Sequence, residues 1–176
     1  MLDALRRHGR RGQDGLDFCV TLSGIIVTDL FISPGHNFFG HHGKEPSTHP
    51  IEQKSEIQCV AGRGIVGDRF YDQEPNYNGQ ITFLEREVYL DLCNRFGVRD
   101  RSPGAFRRNV VTLGVRLNDL IGVEFVIQGI RFRGTEEARP CYWMDRAFAP
   151  GAKEALKGRG GLRAIILNSG TLRREV

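Results

Sequence analysis

The chain has 176 residues, 40% hydrophobic and 26% charged, enough for one continuous core without help from disulfides or a structural metal. Its formal charge of +4 is concentrated at the start, where Arg6, Arg7, Arg10 and Arg11 are offset only by Asp3; the remainder is nearly neutral, so no nucleic-acid partner is expected. No signal-peptide segment or membrane span is read, because Leu22 to Ile32 is interrupted by Ser23, Thr28 and Asp29, and a cytoplasmic protein with reduced thiols is the expectation.

Residues 1–16 are polar, rich in arginine and glycine and without periodicity, which reads as a disordered basic tail ahead of a single domain over 17–176. Gly24 to Ser33 is apolar and β-branched, as a buried strand should be. It runs into a long loop, Pro34 to Pro50, that carries His36, His41, His42 and His49. No carboxylate or cysteine stands there at ligand spacing, so a lid or surface loop is favoured over a metal site.

Further strands are expected at Glu56–Ala61, Gly79–Leu84, Asn109–Gly114, Val123–Ile127, Ile130–Gly134 and Leu162–Asn168. Gln128-Gly129 between two of them suits a tight hairpin, and Asn168-Ser169-Gly170 gives a weaker second hairpin signal. Leu84, Val88, Leu92 and Phe96 recur at helical spacing up to Gly97, and a shorter helix is expected at Gly151–Leu156. The 22 glycines exceed the roughly 7% of average usage and imply many turns. Many short strands, few helices and no βαβ alternation together predict a mainly β protein, a closed or nearly closed β-barrel with a few short helices.

Four cysteines, Cys19, Cys59, Cys93 and Cys141, stand dozens of residues apart, which is no zinc-site pattern. The first three lie in apolar strand or helix patterns and read as core. Cys141 instead follows Arg139 and Pro140. A nearby arginine favours the thiolate form on which nucleophilic and metal-binding chemistry depends. The carboxylates Glu85, Glu87, Glu136 and Glu137 form no persuasive acid/base pair. The glycines of Gly62 to Gly67 do not open a helix, so they are no dinucleotide fingerprint.

Three separated segments, AGRGIVGDRFY (Ala61–Tyr71), SPGAFRRNVVTLGV (Ser102–Val115) and ARPCYWMD (Ala138–Asp145), with GRGGLRAIILNSGTL after them, together resemble the MOSC family, named after the C-terminal domain of molybdenum cofactor sulfurases. The resemblance implies a stand-alone MOSC-like β-barrel that binds the molybdenum cofactor (molybdopterin) or carries sulfur, with Cys141 as persulfide carrier or molybdenum ligand. Arg69, Arg107, Asn109 and Arg139 are the expected cofactor-binding residues. Arg107 and Asn109 would share one face of a strand, so that at most one of Arg107 and Arg108 reaches the pocket. Asp68 would fix the Gly-Asp-Arg turn through main-chain amides, with Arg69 as an ion-pair or anion contact.

Partners implied are a PLP-dependent cysteine desulfurase as sulfur donor, or a separate electron-donor reductase. Two alternative functions follow: a molybdenum-dependent reductase of N-hydroxylated compounds, and a non-catalytic anion- or partner-binding module.

Overall fold

The computed structural model describes residues 19–21, 24–38 and 43–175; the basic tail over 1–16 lies outside the described residues. In chain order the strands and helices are β1 (Cys19–Thr21), β2 (Ile26–Ile32), β3 (Glu52–Lys54), β4 (Glu56–Val60), β5 (Gly64–Ile65), β6 (Ile81–Glu85), α1 (Arg86–Phe96), β7 (Val110–Leu113), β8 (Glu124–Ile127), β9 (Ile130–Glu137), α2 (Trp143–Ala147), α3 (Ala152–Ala155), β10 (Leu162–Ile166) and β11 (Gly170–Arg173). Single 3₁₀ turns at Pro103–Phe106 and Leu117–Leu120 precede and follow β7. No helix among the described residues is long and apolar enough to cross a membrane.

The protein is mainly β, but the strands among the described residues do not close into a barrel. Eight form one open sheet in the order β1-β8-β9-β10-β6-β7-β2-β3, and three form another, β11-β4-β5. Closure would require the end strands to pair with each other. Among the described residues β1 pairs only with β8 and the short, polar β3 only with β2. Inward-outward alternation looks the same in a barrel and in two sheets sharing a core, so the strand pattern alone could not distinguish them. Ile57, Cys59, Ile65 and Leu172 of the small sheet pack with Leu30, Phe83, Val110, Phe125 and Phe132 of the large one.

The hairpin at Gln128-Gly129 forms as expected. Both residues take positive φ, 50° and 79°, the geometry whose twist matches antiparallel strands, and β8 pairs β9 antiparallel. The second hairpin does not form. After Asn168-Ser169, β11 leaves β10 and pairs β4 antiparallel in the other sheet.

A further departure bears directly on the site. β6 and β7 are parallel neighbours joined through α1, a βαβ unit of the kind that parallel pairing requires. Leu84 belongs to β6 rather than to the helix, while Val88 and Leu92 are the buried face of α1. That face joins Phe106, Met144, Phe148 and Leu156 in a second apolar cluster. The crossover returns to β7 through the 3₁₀ turn, and α2 packs on the same cluster, so the segments before β7 and before α2 are held side by side.

Candidate functional site

The turn into β7 builds the site. Ser102 Oγ accepts from the Gly104 amide at 3.0 Å and caps the 3₁₀ turn, and Arg107 ends it with a left-handed φ of 55°, a backbone state costing a non-glycine residue on the order of 1–2 kcal/mol. The kink replaces the expected extended segment, so Arg107 does not share a strand face with Asn109. Arg107 and Arg108 both line one open cleft of about 220 Å³, with His36, Asn37, Phe38, Arg69, Phe106, Cys141, Trp143 and Met144. The expectation that at most one of the two arginines reaches the pocket is thereby corrected.

Each guanidinium is tied differently. Arg69 Nη1 meets Asp68 at 3.3 Å and its Nη2 donates to the Arg107 carbonyl at 3.1 Å. Arg107 Nη2 donates to Ser33 Oγ at 2.9 Å and to the Gly35 carbonyl at 2.6 Å. Arg108 donates to the carbonyls of Gly160, Phe106 and Ala138 at 3.0, 3.2 and 2.5 Å. Among the described residues Asp68 is the only carboxylate within ion-pair distance of any of the three.

Three converging cations with one anion leave an excess of positive charge, and buried charge without a counter-ion is costly. Burial, with repulsion from Arg69 and a smaller opposing effect of Asp68, pushes Arg107 down to about 10. Burial and the nearby Arg163 push Arg108 to about 10, with charge on Cys141 acting in the opposite direction. An anion in the cleft would relieve both.

Cys141 is an exposed free thiol on the segment between β9 and α2. Cys59 is buried in the core, its thiol pushed up to about 12 by burial, and Cys93 is half-buried on α1. Cys19 lies on β1, with its side chain outside the described residues.

His36 packs edge-on against Phe70, ring centroids 4.8 Å apart. Burial, then Arg69 and Arg107, hold it below the usual histidine range. His49 is exposed; its amide donates to Asn37 Oδ1 at 2.8 Å and its carbonyl accepts from Asn37 Nδ2 at 2.9 Å, which pins the loop. His41 and His42 lie outside the described residues. No group of three metal-ligating side chains occurs among the described residues.

Two of the residues expected to contact a cofactor, Asn109 and Arg139, do not line this cleft. Asn109 is 2% exposed. Its Oδ1 accepts from the Thr82 amide and hydroxyl, and its Nδ2 donates to the Phe31 carbonyl and Asp68, which fills its bonding capacity inside the fold. Arg139 is exposed and does not line the cleft. Asp68 does fix its turn, accepting from the amides of Ser33 and Phe70.

The cleft also holds aromatic residues to which no sequence motif assigns a role. Phe38 stacks on Trp143 with centroids 3.4 Å apart at 21°, and the Arg107 guanidinium stands 5.4 Å from the Phe38 ring. The position of the chain's single tryptophan two residues after Cys141 was the available signal.

The family model for the MOSC domain matches residues 41–174. Among solved structures, the YuaD protein of Bacillus subtilis superposes with a TM-score of 0.65 at 18% identity, over 85% of this chain and 91% of that one. YiiM of Geobacillus stearothermophilus gives 0.60 at 16% identity, over 85% and 71%. The likeness to these structures is one of fold. The search of curated proteins returned no match.

Proposed function

Because this chain belongs to the MOSC domain family, we propose that it binds the molybdenum cofactor in the arginine-lined cleft, with Arg107, backed by Arg69, on the phosphate and Cys141 supplying the thiolate to the metal. One observation carries this reading: an exposed thiol opens on a cleft where Arg107 and Arg108 have no carboxylate in ion-pair range among the described residues. The donor set fits such a group. A thiolate is a soft ligand suited to a thiophilic metal. Arg107 commits only Nη2 to hydrogen bonds within the described residues, leaving donors of its planar fork for a phosphate.

When bound, the cofactor supplies a redox-active, sulfur-accepting metal centre. The chain's own residues bind and orient. Arg69 holds the Arg107 carbonyl and so the kinked turn; His36, held below its usual range, adds no further positive charge near neutral pH. A ligand larger than about 220 Å³ extends over the open rim.

The exposure of Cys141 favours a second reading, sulfur carriage. The thiolate would attack the terminal sulfur of a persulfide on a cysteine desulfurase, forming the new S–S bond at Cys141 as the donor's thiolate leaves. Expression in a host that makes the cofactor, followed by molybdenum and pterin analysis, tests the first reading: near-stoichiometric metal in the wild type and at least tenfold less in Arg107→Gln. Metal-free protein from that host, with no added sulfur on Cys141, would reject both readings.

A further inference from the structure

Arg108 lines the cleft beside Cys141, yet each of its three guanidinium nitrogens already donates to a backbone carbonyl of the protein itself. Nε reaches the Gly160 carbonyl, Nη1 the Phe106 carbonyl and Nη2 the Ala138 carbonyl. These acceptors belong to three different segments: the loop entering β10, the 3₁₀ turn before β7, and the stretch leading from β9 to Cys141. A planar fork with fixed donor directions can span three carbonyls; a lysine ammonium, a point charge on a flexible stem, cannot reproduce that geometry.

The backbone around Arg108 is knotted by further bonds. The Ala138 amide donates to the Gly161 carbonyl at 2.8 Å, and the Gly160 amide to Glu137 Oε1 at 3.0 Å. A β-carbon on Gly160 would lie 2.6 Å from the Ala138 carbonyl oxygen and 2.9 Å from the Pro140 ring, and one on Gly161 would collide with the Phe83 carbonyl. The two glycines therefore admit the close approach that brings both acceptors within reach of one side chain.

The consecutive arginines divide the work. The left-handed turn at Arg107 sends that side chain to Ser33 and Gly35 on one flank of the cleft, and Arg108 to Ala138 and Gly160 on the other.

We infer that Arg108 is a positioning residue for Cys141: it clamps the Ala138–Cys141 segment to the Gly160 loop and so aims the thiol into the cleft, without itself binding the cleft's ligand. The inference rests on the proposed role of Cys141, but its geometric part can be tested without a loaded cofactor.

The experiment compares full-length wild type, Arg108→Lys and Arg107→Gln by three readouts. The first is hydrogen exchange of peptides covering 138–141, 160–161 and, as reference, 170–173. The second is affinity for inorganic phosphate, read from Trp143 fluorescence. The third is molybdenum or sulfur loading at Cys141 in a cofactor-making host.

Arg108→Lys should speed exchange at 138–141 and 160–161 at least threefold, leave 170–173 unchanged, keep phosphate affinity within twofold, and lower loading at least tenfold. Arg107→Gln should do the reverse for the first two readouts, losing phosphate affinity with exchange at 138–141 unmoved. Leu172→Ala, which thins the core away from the cleft, serves as the stability control and should retain loading. Should Arg108→Lys weaken phosphate as much as Arg107→Gln while exchange at 138–141 stays at the wild-type rate, Arg108 is a ligand contact and the inference fails. Unchanged exchange and loading overturn it equally. If the wild type loads neither metal nor sulfur, the proposed function fails, while exchange and phosphate binding still decide whether Arg108 is a clamp.

Discussion

Asn109 Nδ2 donates to Asp68 Oδ2 at 3.1 Å, both side chains buried, and this bond joins the start of β7 to the Gly-Asp-Arg turn. Asp68 also accepts from the Ser33 amide. The base of the histidine-bearing loop, the turn carrying Arg69 and the turn carrying Arg107 are thus fastened at one point. Asn109 serves the cleft by holding its walls.

Asn109→Ala should therefore lower stability by about 2–4 kcal/mol, the range expected when several buried hydrogen-bond partners lose their mate. Urea denaturation measures the loss. Native-state labelling of Cys141 should proceed at the wild-type rate, because the bonds lost are not those of the cysteine segment.

His36 gives a pH-dependent expectation. Its pKa in the fold lies below the unfolded value, through burial and then the positive charge of Arg69 and Arg107. As pH falls below about 6.5 the unfolded chain takes up a proton that folded His36 resists. Its contribution is thus fully present above that pH and is lost as the solution becomes more acidic. An NMR titration should place the His36 imidazole below the ordinary histidine range, and Arg107→Gln should move it upward. A His36 pKa insensitive to Arg107 would contradict the placement of both groups in one cleft.

The thiols should separate by chemistry. With iodoacetamide at pH 8, peptide mass spectrometry should find Cys141 modified in the native protein and Cys59 untouched until the chain unfolds, because Cys59 is buried with its thiol pushed up to about 12. Labelling of Cys59 at a comparable native rate would remove the distinction.

Much of this molecule was legible in its local patterns. The Gln128-Gly129 turn, the β-branched runs of β2, β7 and β10, and the isolated setting of Cys141 carry local chemical signals. What failed was long-range. The two-residue β5 and the polar β3 are too short to show a period, and β11 pairs with β4, more than a hundred residues away, so sheet membership could not be read from spacing. A common face for Arg107 and Asn109 requires an extended segment, and the left-handed turn at Arg107 breaks that periodicity. Arg139 adjoins Cys141 in sequence, whereas the arginines that line the cleft with the thiol are Arg69, Arg107 and Arg108, brought there by folding.

Phe38 and Trp143 offer a test of how the loop meets the cleft. Phe38→Ala should shift Trp143 emission to the red, as water replaces the stacked ring, and should cost about 1 kcal/mol beyond the lost burial. An unchanged emission spectrum would place Phe38 elsewhere in solution.

The most direct measurement is the molybdenum and sulfur content of wild type and Cys141→Ala, purified from a cofactor-making host and analysed by metal quantification with intact mass. Near-stoichiometric molybdenum, or a reducible mass increase of one sulfur on Cys141, should appear in the wild type and be lost in the variant. Equal metal and sulfur content in the two proteins would contradict the assignment of this chemistry to Cys141.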